Sequence, residues 1–132
     1  MENLFAKIIL GHLLGDYLLQ SKKMALIKSN KNMVGFIMCL VHSIIYTISV
    51  CAFLWRFDSS IFLFIVLSHF PIDFWSLGDK WLKVIKGRNI AKAIESKEQY
   101  HEVDLIFSCI VYTVVDNSIH IIIMWIGLQY LL

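Results

Sequence analysis

Histidine and aspartate recur in this sequence four residues apart, inside stretches otherwise built from apolar residues. GHLLGDYLLQ carries His12 and Asp16, SHFPID carries His69 and Asp73, and DNSIH carries Asp116 and His120 in the reverse order. His42 stands alone in LVHSIIY. Imidazole and carboxylate together suit Zn²⁺, Mn²⁺ or Fe²⁺, and a carboxylate beside a histidine can ligate or orient the ring. On a helix, positions i and i+4 share a face, so each pair makes one polar spot rather than a polar ring.

The surroundings make these residues costly. An ionised aspartate at the centre of a membrane helix costs about 2.5–3.5 kcal/mol on insertion scales. Three of them must face inward and be compensated by imidazole hydrogen bonds, a bound cation or water in a cavity. The structural alternative is interhelical glue, in which polar side chains bond across a bundle. Four histidines and three aspartates at similar depth favour a metal or proton site over glue.

The elements that must position them follow from composition. Of 132 residues, 58% are apolar and one is proline, and the mean hydropathy is +0.70. That profile belongs to a small polytopic membrane protein with one domain, 1–132, and little outside the bilayer. A crossing needs about 20 residues. Four candidates emerge, at 3–21, 33–55, 60–78 and 104–131, giving an all-α bundle of four transmembrane helices. The first run is broken by His12 and Asp16, with no small-residue cleavage site before SKKM, and reads as a retained helix rather than a signal peptide. Net charge is +2, which gives no case for a nucleic-acid partner. Cys39, Cys51 and Cys109 match no zinc or disulfide spacing and read as small packing residues.

Orientation comes from the loops. Lys22, Lys23, Lys28 and Lys31 lie in the first, and Lys80, Lys83, Lys86, Arg88, Lys92 and Lys97 in the third, out of 12 basic residues in all. The positive-inside rule makes that side cytoplasmic and leaves both termini outside. The third loop, 79–102, is also amphipathic: Trp81, Leu82, Val84, Ile85, Ile90 and Ile94 alternate with cations, and Gly87 interrupts a helix. It is expected to lie on anionic lipid, with docking of a cytoplasmic partner as the alternative.

At 1.5 Å per residue, His12, His42 and His69 all fall about 13 Å from the cytoplasmic boundary. Asp16 and Asp73 fall one turn nearer the cytoplasm, and Asp116 and His120 one turn deeper. Pro71 is expected to kink its helix and free the Leu67 carbonyl. Gly11, Gly15 and Ser68 would let helices approach closely. Gln20 and Lys80 continue the polar faces of the first and third spans toward the cytoplasmic mouth. Asp79, His101 and Asp104 lie at the same level and read as solvated.

HLLGDYLLQ followed by lysines, a histidine in the second span, SHFPIDFW followed by a lysine, and DNSIH in the last span together resemble domain-of-unknown-function family 3307. These are small bacterial and phage membrane proteins, and the likeness runs over essentially the whole chain. It implies a multi-pass protein of the bacterial cytoplasmic membrane marked by His12, Asp16, Gln20, His42, His69, Asp73, Lys80, Asp116 and His120. It also implies a glutamine after the last-span aspartate, where this chain has Asn117. The intramembrane histidines and aspartates more loosely resemble a group known as predicted membrane-bound metal-dependent hydrolases.

Three functions compete. The first is a metal-dependent hydrolase of a lipid or membrane-associated ester or phosphoester. His12, His42, His69 and His120, with Asp16, Asp73 or Asp116, would hold a divalent metal, Zn or Mn foremost. An aspartate (Asp16 or Asp73) would serve as general base, and Lys80 would neutralise an anionic substrate. The second is a cation or proton transporter using the same cluster, for which so short a chain would require a homodimer. The third is a non-catalytic membrane partner acting through its basic loop.

Overall fold

The computed structural model describes residues 3–132, and among them the chain is all-helical, with seven α-helices and no strand. Helix α1 spans Leu4–Leu13 and runs directly into a π-turn, Leu14–Leu18. A short α2 (Lys22–Ile27) leads to the long α3 (Met33–Leu54). Then come α4 (Ser59–Phe74), α5 (Leu77–Ile85), α6 (Ile90–Glu95) and α7 (His101–Leu131). Local sequence fixes the starts: Asn3, Ser21, Asn32 and Asn89 each turn a side-chain oxygen onto an otherwise orphaned helical N–H.

Helices α1, α3, α4 and α7 pack together around a core of Ile8, Tyr46, Val50, Cys51, Leu54, Ile61, Ile65, Met124 and Leu128. Their outward faces are apolar as well. Ile48 on α3, Leu63 and Leu67 on α4, and Ile106, Ile110 and Ile122 on α7 are all exposed. A helix apolar on every side is at home in a membrane. Two helices, Met33–Leu54 and His101–Leu131, are long and apolar enough to cross one; a third candidate arises if α4 and α5 form one span bent by 53°. These mark a membrane protein. Residues Leu4–Leu18 give only about 22 Å of helix, short of the ~30 Å hydrocarbon core.

Several boundaries differ from the sequence reading. The sequence places the end of the third span at residue 78, but α4 stops at Phe74 and the chain turns at Ser76, whose φ is 49°. The helix continues through Pro71 rather than breaking there, and Leu67 lies on the outward face. The third loop is not one free interfacial strip: α5 and α6 pack on α7, burying Leu82 and Ala93. Gly87, at φ 63°, separates the two. Arg88 Nη1 ties this loop to α7 through Asp104, 2.7 Å, and Ser108, 3.3 Å. Cys39 and Cys51 are buried as expected, whereas Cys109 is exposed.

Helix α1 lies close against α3 because Gly11 lacks a side chain: a Cβ there would come within 2.7 Å of Val50 Cα. The Ser68 hydroxyl donates to the Ile65 carbonyl of its own helix, 3.1 Å away. Backbone cannot rotate aside as a side chain can. Gly11→Ala is therefore expected to lower stability by about 1–3 kcal/mol, read as a lower unfolding midpoint in detergent. An unchanged midpoint would show that α1 and α3 are not held at this spacing.

Candidate metal centre

The four principal helices turn their polar spots toward one point. From α1 comes His12 and from the π-turn Asp16; α3 supplies His42, α4 supplies His69 and Asp73, and α7 supplies His120. The rings of His69 and His120 lie 4.4 Å apart, those of His42 and His69 5.0 Å, and those of His12 and His120 5.7 Å. All four histidines and Asp73 are buried.

His42 Nε2 sits 3.0 Å from Asp16 Oδ1, 3.1 Å from Asp73 Oδ2, 3.1 Å from His69 Nε2 and 3.0 Å from Gln20 Nε2. One ring nitrogen carries either one proton or one lone pair, so no tautomer satisfies all four. Asp73 Oδ2 is also 3.1 Å from His69 Nε2, and Asp73 Oδ1 is 3.4 Å from His120 Nε2. Asp16 Oδ1 and His120 Nε2 are buried atoms whose contacts to His42 and Asp73 lack hydrogen-bond geometry. Atoms bound about 2.0–2.2 Å from a common ion lie about 3–3.5 Å from one another. The close spacings here match the edges of such a coordination shell.

Two overlapping sets could hold a metal ion: Asp16, His42 and His69, and His69, Asp73 and His120. Both draw on His69 Nε2 at the distances above, and a single lone pair serves one ion. His42 Nδ1 and His69 Nδ1 are buried without partners on the far side of their rings.

Local structure explains who joins. The π-turn closes with Leu19 N–H donating to the Leu14 carbonyl at 3.0 Å. Asp16 and Tyr17 of this turn, with Gln20 just beyond it, face one cavity. His120 is level with His69 and Asp73, not one turn deeper. Asp116 lies one turn toward the mouth, where its carboxylate covers Gly78; a Cβ there would fall 2.6 Å from Asp116 Oδ1. The depth reading failed because the first turns of α7 pack on α5 and α6, so the helix joins the bundle later than residue 104 implied.

His12 and Asp116 fall outside both ligand sets. His12 Nδ1 lies 3.3 Å from Asp16 Oδ2 and 2.9 Å from Tyr46 Oη, and its Nε2 lies 2.5 Å from Asn117 Oδ1. That arrangement fixes Asp16. Lys80 is exposed and does not line the cavity, because the bend at Ser76 rotates α5 out of phase with the face carrying His69 and Asp73. Lys28 stands there instead, with Nζ 2.6 Å from Asp73 Oδ2. Asp79 pairs with Lys83 at 2.6 Å and Asp104 with Arg88, so both are surface groups as expected. His101 is equally remote, bonded through Nδ1 to the Glu98 carbonyl at 3.0 Å.

Two participants escaped the sequence reading. Tyr46 stacks on His69 at 3.7 Å between centroids, and its spacing of four from His42 was an available signal. Lys28 carried none, being one lysine among several in a loop. Asn117, where a glutamine was implied, is a full member: its amide nitrogen donates to Tyr17 Oη at 2.5 Å and to the Thr113 carbonyl at 2.6 Å.

A family model described as "Protein of unknown function (DUF3307)" matches residues 4–131. The chain belongs to this family. No curated protein and no solved structure matches it. The matched span includes every residue of the cluster.

Asn117→Leu removes the partner of a buried ring nitrogen and is expected to cost about 1–3 kcal/mol, whereas Tyr17→Phe, at an exposed partner, costs under about 1 kcal/mol. Chemical unfolding in detergent reads both. Equal losses would show that His12 does not depend on Asn117.

Proposed function

We propose that this chain is a four-span membrane protein holding one divalent ion, Zn or Mn, and that it hydrolyses an ester or phosphoester of a membrane-associated substrate. The observation carrying this reading is the convergence of His42, His69, His120, Asp16 and Asp73, whose ligand atoms crowd together at spacings that hydrogen bonds alone do not satisfy. Charge supports it. Asp16, Asp73 and Asp116 formally bring three negative charges against one positive charge on Lys28. The two left over are offset by one divalent ion. Left alone in an apolar bundle they would be costly.

A bound ion would supply Lewis acidity and lower the cost of charge on the attacked group. The chain's own residues do the rest. Asp116 is not a ligand in this reading; it faces the cavity and takes the proton of the attacking water. The scissile ester bond breaks, and the leaving oxygen regains a proton from solvent. His12 and Tyr46 hold Asp16 and His69 in place through the contacts above. Lys28 takes the role expected of Lys80.

One-sidedness favours hydrolysis over an open channel. Beyond the cluster the bundle is filled by Val50, Ile61, Ile65, Met124 and Leu128, whereas the cavity opens on the other side. A conducting protein needs a path on both sides; a hydrolase needs one mouth. The basic loop fits the cytoplasmic side of the membrane, with exposed Trp81, Val84 and Ile85 as its lipid contacts.

Purified protein should carry about one Zn or Mn ion per chain by elemental mass spectrometry. His69→Ala and Asp73→Asn should each lose it together with hydrolysis of a chromogenic phosphodiester, and Lys80→Ala should keep both. No bound metal in the unaltered protein, or full retention in His69→Ala, would overturn the proposal.

A further inference from the structure

We propose that the substrate is an amphiphile whose phosphate headgroup carries a net negative charge, which enters sideways through the seam between the π-turn and α7 and seats its phosphate against Lys28. This rests on the metal-dependent reading above and names the substrate class of that site.

The cavity beside the cluster has a volume of about 250 Å³. One wall is the π-turn and α2, with Tyr17, Gln20 and Lys28; the other is α7, with Tyr112, Thr113 and Asn117. Neither the π-turn nor α2 packs backbone to backbone against α7, although α1 does. The walls therefore diverge toward the mouth, and Tyr17 Oη and Asn117 Nδ2 bridge the gap. A space of that size takes a headgroup, not a whole lipid.

The two ends of this opening differ in chemistry. Inside, the groups are Lys28, amides, phenols and a threonine hydroxyl, most of which can donate hydrogen bonds to phosphate oxygens. Lys28 is the one cation on the wall, and its side chain is only 16% exposed. Outside, Leu13 and Leu18 flank Tyr17, while Ile110 and Val114 flank Thr113, and all four are exposed. A polar pocket with an apolar rim between two helices fits a molecule with a charged head and an apolar tail. A water-borne phosphoester would gain nothing from that rim.

Asp16 and Asp116 also face the cavity, so phosphate would be repelled from the metal-free protein. Headgroup binding must then depend on the metal. That dependence distinguishes a built site from a lysine that merely attracts anions at a membrane surface.

The test uses full-length protein in phosphatidylcholine vesicles doped with a diazirine-bearing phosphatidic acid, or with the same diazirine on phosphatidylcholine. Metal content is measured on every sample. With metal bound, the phosphatidic acid probe should label peptides containing Tyr17 and Thr113 several-fold more than the choline probe. Chelation should abolish the difference. Lys28→Gln should reduce it about tenfold, the size of one charge-assisted hydrogen bond, while Lys28→Arg retains most of it. Thr113→Trp should block labelling with metal content unchanged. Equal labelling by the two probes on metal-loaded protein, or labelling indifferent to Thr113→Trp, overturns this inference and leaves the metal-dependent reading standing. Competition by glycerol phosphate at the same concentration as a short-chain phosphatidic acid would show that the apolar rim adds nothing, assign the site to a soluble phosphoester and also overturn it. Absence of metal overturns both.

Discussion

A buried carboxylate, Asp73, and a partly buried one, Asp16, among four imidazoles in a bundle otherwise apolar set the terms for the rest of this molecule. A carboxylate in such surroundings must be matched by several partners at once, because water is not there to help. Asp73 draws on Lys28, His42, His69 and His120 from three other elements and its own helix. Asp16 draws on His12 and His42. The rotation of α1, α3, α4 and α7 about their axes is therefore constrained together: turning any one away strands a charge on another. Apolar packing alone would tolerate many such rotations, since the outer faces of these helices are as apolar as the inner ones.

The same requirement divides the bundle. On one side of the cluster lies the dry core from Ile8 to Leu128, which brings the helices into contact and closes that end. On the other, the helices part. The π-turn widens the end of α1, and the left-handed Ser76 deflects the chain after α4. Both departures from regular helix fall within a few residues of the aspartates they serve. Local irregularity is how a bundle this small makes room for a polar cavity beside a buried charge.

Lys28 shows what a connecting segment contributes. Ser21 and Asn32 cap the helices on either side, so the residues between them are held as a compact α2 and turn. Lys31 extends from the same turn to the Phe74 carbonyl and sits over its ring, 4.0 Å from the centroid. The loop is thus tied to the end of α4, and that tether brings the Lys28 ammonium to Asp73. A positive charge at this point reduces the excess of carboxylate and faces the cavity, two roles that require it to come from outside the apolar spans.

The sequence by itself determined the helical class, the family, and the set of histidines and aspartates that meet. It could do so because a repeat of four on an apolar helix has one favourable outcome, a polar face turned inward. It also determined Gln20 as a continuation of that face. Only the tertiary structure decided which residues stand in a ligand position and which behind it. His12 and Asp116 look identical to His69 and Asp73 in spacing, yet one backs Asp16 and the other faces the cavity. The exchange of Lys80 for Lys28 was equally hidden, because helical phase carries a prediction only while the helix is unbroken. Past Ser76 that phase is lost, and the position of a loop lysine depends on contacts far apart in the chain.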